Sequence, residues 1–222
     1  RENGYVTDLI TDHSIDFIRE NRDQPFFLYV PHEAPHVPFQ GRSDSAYRYP
    51  GREFSYLGPV EDQEAAYREM VEVMDEGIGR IMQTLNDLQL DKKTFVIFCS
   101  DNGSRFGSNG PLRGAKGSLW EGGHRVPAIA RYPGIIEAGA ESSAIILSMD
   151  LAPTLLAVAG IEQSHDFDGV DFSAHMYERE PLESRPVFWR YREQAAVRKG
   201  SWKYLKMEGE EYLFSLEEDL TE

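Results

Sequence analysis

The stretch "KTFVIFCSDNGSRFGSNGPLRGAKGSLWEGGH", Lys93 to His124, joins an apolar run to a glycine-rich segment that carries Asp101, Asn102, Arg113 and Lys116. The run Thr94–Cys99 is unbroken, without polar alternation, and predicts a strand in the middle of a sheet covered on both faces. Residues just past the C-terminal end of such a strand stand where open α/β sheets gather their ligands. Asp101 and Asn102 occupy that place, and Gly103 permits the chain to turn sharply after them. Cys99, at the strand end, reads as a small packing residue.

Working outward, strands and helices alternate. "DLITDHSIDFIREN" places Leu9, Ile10, Ile15, Phe17 and Ile18 at helical spacing. "QPFFLYVP", Gln24–Pro31, predicts a buried strand that opens into the proline-rich loop "HEAPHVPFQG". A long helix follows in "EDQEAAYREMVEVMDEGIGRIMQTLNDLQL", with an apolar face of Ala66, Met70, Val73, Met74, Ile78, Ile81, Met82 and Leu85, weakened at Gly77 and Gly79. "RVPAIARYPG" reads as a further strand, and "SMDLAPTLLAVAG" as a helix over Met149–Ala159 ended by Gly160. Beyond residue 180, "PVFWRY", "AAVRKG", "SWKYLKM" and "EYLFSL" predict short antiparallel strands. The expected fold class is therefore α/β, a partial mixed or parallel sheet flanked by helices over residues 1–178, with a small antiparallel β subdomain over 179–222.

Composition narrows the function. The chain has 222 residues, 41% of them hydrophobic, and a formal net charge of −15. That charge opposes a nucleic-acid partner, since affinity for phosphate backbones draws on clustered Lys and Arg. No apolar run approaches the ~20 residues of a membrane-spanning helix. With Cys99 the single cysteine, an intrachain disulfide and a multi-cysteine zinc site are excluded. An acidic chain that handles an anion must gather its positive charge locally.

The glycine-rich segment does so. A carboxylate and a carboxamide side by side offer hard oxygen donors, which suit Ca²⁺ or Mg²⁺ better than zinc or copper; taken alone they also suit a strand-end turn that satisfies its own backbone. Lys116 beside a divalent cation is costly to hold unless an anion lies between them. His36, after the first predicted strand, can donate a proton to a leaving oxygen, with His32 as its competitor. The segment "GRSDSAYRYPGREFSYLGPV" is a surface loop whose Tyr and Arg residues would suit a pocket wall for sugars or anions.

Several of these blocks, in this order, resemble the sulfatases of the alkaline-phosphatase-like superfamily: "PFFLYVPHEAPHVPF", "CSDNGS", "NGPLRGAKGSLWEGGHRVPAIARYPG", "SMDLAPTLLAVAG" and "EYLFSLEED". Together they are similar to the C-terminal portion of such an enzyme. The resemblance implies that Asp101 and Asn102 ligate a metal, usually calcium and sometimes magnesium, that Lys116 binds a sulfate oxygen and supports the ester oxygen, and that His36 serves the leaving alcohol. Arg113 and His124 are implied as substrate-binding residues at the rim. It also implies a sulfated small molecule or glycan as substrate and a periplasmic, secreted or lysosomal location.

The family's nucleophile is a formylglycine made from the Cys or Ser of a C/S-x-P-x-R sequence, and no such sequence occurs here. The expectation is therefore a fragment, truncated before a final helix and inactive alone, whose parent hydrolyses sulfate esters. Two alternatives remain open. One is a hydrolase of phosphate mono- or diesters or phosphonate monoesters. The other is a non-catalytic glycan- or protein-binding module built on Trp189, Tyr191, Trp202, Tyr204 and Tyr212.

Overall fold

A computed structural model describes residues 2–45, 56–58, 60–162 and 165–222. Two compact units divide the chain, Arg1–Thr94 and Phe95–Glu222.

In the first unit, helix α1 (Val6–Glu20) packs on helix α2 (Gln63–Asp87). The buried face of α1 mixes Ile15 and Ile18 with Thr7, Thr11 and Ser14. Burying the hydroxyls of Thr11 and Ser14 is tolerated because both are satisfied: Thr11 Oγ1 donates to the Thr7 carbonyl at 2.9 Å and Ser14 Oγ to the Ile10 carbonyl at 2.7 Å. The sequence marks Gly77 as a weak point of α2, yet it is a contact point. A Cβ there would stand 2.4 Å from Thr11 Oγ1, so the absent side chain lets the helices approach. Asp62 caps α2 by accepting from the Ala65 amide at 2.9 Å. Ala66, Met70, Val73 and Leu85 are buried as the apolar face predicts.

The proline loop packs on that face through Ala34 and Phe39, which cluster with Ala66 and Met70. Phe39 meets Tyr67 edge-on at 5.5 Å. The preceding run does not form the buried strand expected of it. Residues 25–30 join no sheet, and Phe27 and Tyr29 are 71% and 74% exposed. An apolar run becomes a strand only where a neighbour completes its hydrogen bonds, and none is present among the described residues of this unit. The loop 41–60 is described only in part, so the pocket-wall expectation at residues 46–55 and 59 lies outside the described residues.

The second unit opens with strand β1 (Val96–Cys99), paired antiparallel with β2 (Ala128–Arg131). Here the expectation of a strand holds and that of two covered faces does not. Phe98 is 38% and Ile129 64% exposed, and Cys99 is exposed where packing was expected. β1 has a single partner strand, and no layer covers both of its faces among the described residues.

Between the two strands runs the glycine-rich segment with the short helix α3 (Glu121–His124). A 3₁₀ turn (Ser148–Asp150) leads into α4 (Leu151–Val158), near the predicted bounds. Buried Asp150 accepts from the amides of Leu147 and Val170 at 2.7 and 2.9 Å and pairs with Arg185. After α5 (Ser173–Glu178), strands β3 (Val187–Tyr191), β4 (Gln194–Lys199), β5 (Trp202–Met207) and β6 (Glu210–Ser215) form a consecutive antiparallel sheet.

Alternation along these strands divides the sheet into two faces. Ala196 and Leu205 are buried against Leu119 and Trp120, with Trp189, Tyr212 and Phe214 beside them. Phe188, Trp202 and Leu213 stand 70%, 56% and 66% exposed. Trp189 and Tyr212 thus pack inward while Trp202 faces outward, so the five aromatics of the binding-module reading do not form one platform.

Candidate functional site

Two turns of the second unit carry Asp101, Asn102 and Lys116. In the first, Ser100 Oγ donates to the Asn102 carbonyl at 2.9 Å, and buried Gly103 gives its amide to the Gly123 carbonyl at 3.0 Å. A Cβ on Gly103 would lie 1.8 Å from the Gly122 carbonyl oxygen, so only glycine permits this approach. Asp101 is left exposed. Its carboxylate has no hydrogen-bonding or ionic partner among the described residues.

The second turn carries Lys116. Ser118 closes it, with its amide and Oγ both donating to the Ala115 carbonyl at 3.1 and 2.8 Å. Gln194 of β4 holds the turn from the other side: its Oε1 accepts from the Leu119 amide at 2.8 Å and its Nε2 donates to the Gly117 carbonyl at 3.3 Å. Lys116 is exposed and also unpartnered among the described residues. Asn109 braces the loop between the two turns, accepting from the Ser104 amide at 2.7 Å and donating to the carbonyls of Ser104 and Gly114 at 2.8 and 3.1 Å.

Beneath the loop lies a charged network that pattern reading missed. Glu121 and Lys203 are both fully buried. Lys203 Nζ stands 3.0 Å from Glu121 Oε1, and Arg198 Nη1 donates to Glu121 Oε2 at 2.9 Å. Lys203 also pairs with Glu222 at 2.7 Å. Burial pushes the Glu121 carboxyl up, but Lys203, Arg198 and His124 together hold it below its ordinary value. One signal could have found the network. Lys203 falls in phase with Leu205 on the inward side of β5, an ammonium where alternation demands an apolar side chain.

The rim candidates have partners within the fold. Arg113 lies over the Trp120 ring at 3.7 Å and donates to the Glu222 carbonyl at 2.8 Å. His124 stacks on Trp189 with ring centroids 4.5 Å apart, and its Nε2 lies 3.3 Å from the Leu119 carbonyl. Burial first, and Lys203 second, lower its pKa, favouring the neutral ring. In the first unit, His36 is exposed and bonds through Nδ1 to the Val37 carbonyl at 2.7 Å, whereas both His32 ring nitrogens are enclosed without hydrogen-bond partners among the described residues. Though Cys99 is exposed as a residue, partial desolvation of its thiol first and the Asp101 carboxylate second raise its pKa, which disfavours the thiolate.

Asp101 and Asn102 suit a hard cation in donor type. Among the described residues, though, no group of three or more His, Cys, Asp or Glu side chains could hold a metal ion. Calcium takes ~6–8 oxygens, so these two residues can be part of a shell only.

The sulfatase family model matches residues 1–161, and that of the N-sulphoglucosamine sulphohydrolase C-terminal region matches 115–214. N-acetylgalactosamine-6-sulfatase of Mus musculus is 36% identical over 195 residues, covering 83% of this chain and 35% of that protein. Steryl-sulfatase of Rattus norvegicus is 34% identical, covering 75% and 29%. Among solved structures, that of Ps i-CgsB in complex with k-i-k-neocarrahexaose superposes with a TM-score of 0.87 at 31% identity, covering all of this chain and 50% of that one. Phosphonate monoester hydrolase SpPMH from Silicibacter pomeroyi, at a TM-score of 0.75 and 19% identity over 96% of this chain and 54% of that one, shares the fold. The chain spans about a third of the length of the curated relatives it matches first.

Proposed function

Because the chain belongs to the sulfatase family, we propose that the protein containing it hydrolyses sulfate esters, R–O–SO₃⁻, to the alcohol and sulfate. The observation that carries this reading is that two exposed groups of opposite charge, the Asp101 carboxylate and the Lys116 ammonium, both unpartnered among the described residues, stand on turns tied to the same loop.

Asp101 and Asn102 would contribute to a calcium or magnesium site. Such an ion supplies Lewis-acid stabilisation of charge that builds on the transferred group. Lys116 binds a sulfate oxygen and offsets negative charge as the ester bond breaks. His36, on the first unit, donates a proton to the departing alkoxide; this role rests on the "APHVP" motif. Arg113 and His124 act at the substrate rim, the first through its guanidinium edge and the second by fixing the loop that carries Lys116. The nucleophile, a formylglycine in the family, is assigned outside residues 1–222.

Relatives named N-acetylgalactosamine-6-sulfatase, and a neighbour solved in complex with k-i-k-neocarrahexaose, support a sulfated sugar as the substrate class. A periplasmic, secreted or lysosomal location accords with that substrate. No helix among the described residues is long and apolar enough to cross a membrane.

The test is turnover of 4-nitrophenyl sulfate against 4-nitrophenyl phosphate by the full-length gene product, with and without EDTA. Lys116→Ala is expected to lower kcat/KM by roughly 10²–10³-fold, the scale of losing one preorganised charge-stabilising donor. Undiminished turnover in that variant rejects the reading. Preference for the phosphate ester transfers it to the phosphoester alternative.

A further inference from the structure

Neither Asp101 nor Lys116 touches the buried charges below them, yet both depend on one short piece of backbone. Gly103, directly after the Asp101–Asn102 pair, donates to the Gly123 carbonyl at 3.0 Å. Arg113, at the start of the segment leading to Lys116, accepts from the Gly122 amide at 2.7 Å. These contacts have no slack. A Cβ on Gly122 would lie 2.5 Å from the Gly114 oxygen and 2.6 Å from that of Arg113. Any shift of residues 122–123 therefore moves both turns.

What fixes residues 122–123 is the side chain before them. Glu121 is fully buried, with one carboxylate oxygen on Lys203 and the other on Arg198. Arg125 reaches the second oxygen at 3.5 Å, and His124 Nε2 stands 3.8 Å from the first. Lys203 and Arg198 are on neighbouring strands, directly opposite one another in the β4–β5 register, so both charges sit on a rigid surface. Even with Lys203 shared with Glu222, three cations around the Glu121 carboxylate exceed what a buried helix start needs for stability, since apolar packing of similar volume serves as well or better. Their geometry instead specifies a position.

We propose that Glu121 is a positioning residue: clamped by Lys203 and Arg198 of the C-terminal sheet, it sets the separation between the Asp101–Asn102 turn and the Lys116 turn. The inference rests on the sulfate-ester reading above, because only a ligand spanning both turns makes their separation matter. It also gives the C-terminal sheet a part in the chemistry without any contact with substrate. Misplacing a reacting group by about 1 Å can cost on the order of 10²-fold in rate.

The test is a double-mutant cycle in the full-length protein between Glu121→Gln and Lys116→Ala, read as kcat/KM for the aryl sulfate alongside thermal midpoints. Glu121→Gln keeps the shape and removes the charge that Lys203 and Arg198 hold. A loss of about 10- to 100-fold is expected with Lys116 present, and less than about 3-fold in the Lys116→Ala background, since an aim that serves Lys116 has no value once Lys116 is gone. Lys203→Arg, which restores a cation to the clamp, should retain most of the activity that Lys203→Met loses. Equal losses in both backgrounds, or no loss in the first, overturn the proposal. If Glu121→Gln does not fold, the same cycle run with Arg198→Gln decides by the same two outcomes. Should Lys116→Ala itself leave turnover intact, the sulfate-ester reading fails; if only Glu121→Gln does so, the reading stands and the clamp falls.

Discussion

Lys203 and Glu121 show how differently a charge behaves when no water reaches it. Each is balanced by a network, Lys203 by Glu121 and Glu222, Glu121 by Lys203, Arg198 and Arg125. Lys203→Met leaves Glu121 with Arg198 and the more distant Arg125, and leaves the buried Glu222 side chain without its cation; we expect a loss of about 3–5 kcal/mol in chemical denaturation, the cost of breaking a buried ion pair from one side. Replacing both, as Lys203→Met with Glu121→Leu, still leaves Glu222 and Arg198 without their ionic partners, so it should recover only part of that stability while leaving activity impaired. The same network predicts a dependence on pH. His124 has its pKa lowered from 6.5, first by burial and then by Lys203, so the folded state prefers the neutral ring. A group of this kind stabilises above its unfolded value, and that stability is lost as pH falls through the folded one. Glu121 has the same sign but starts from 4.5. Stability lost between about pH 6.5 and 4.5 therefore includes a contribution from His124 before Glu121 begins to titrate. His32, also lowered by burial, adds to it. The expected outcome is a shallower acid slope for His124→Phe, which keeps an aromatic ring on Trp189; an unchanged slope would show that His124 does not titrate on unfolding.

At the level of elements, agreement between sequence and structure follows how local each cause is. Helices α1 and α2 and the four hairpin strands were legible because period, caps and turns act within a few residues. The covered faces expected for Gln24–Pro31 and Thr94–Cys99 were not, because burial of a strand depends on what lies across from it, and no sequence window contains that. Asp101, Asn102 and Lys116 were candidates from residue type and glycine spacing, whereas Glu121 and Lys203 stand 82 positions apart and only the phase of Lys203 with Leu205 hinted at burial. Gly77 makes the same point in a helix. Propensity predicts that Gly77→Ala stabilises α2 by up to ~1 kcal/mol. The structure predicts the reverse, because the new methyl would meet Thr11 Oγ1 at 2.4 Å. Gly77→Ala should lower the thermal midpoint, and Thr11→Ala in the same chain should restore it. A coupling below about 0.5 kcal/mol between the two substitutions would mean that the helices simply move apart.

Over the whole molecule, a net charge of −15 and a proposed anionic substrate pull in opposite directions. The acidic surface attracts cations without selecting them, and it repels sulfate esters at long range. A specific metal site must therefore be separated from a general ion atmosphere. Screening does this, because at 0.15 M salt the Debye length is about 8 Å and diffuse attraction is largely removed, while a coordinated ion keeps its ligands. In the full-length protein at that ionic strength, we expect calcium to raise the thermal midpoint and chelation to abolish turnover. Asp101→Ala should remove both effects at calcium concentrations that saturate the wild type, since one fewer anionic ligand weakens a hard-cation site steeply. Asn102→Ala, which deletes a neutral donor, should weaken binding less. If Asp101→Ala keeps its calcium-dependent shift in 0.15 M salt, the ion is held elsewhere, and the Asp101 carboxylate is only part of the acidic surface.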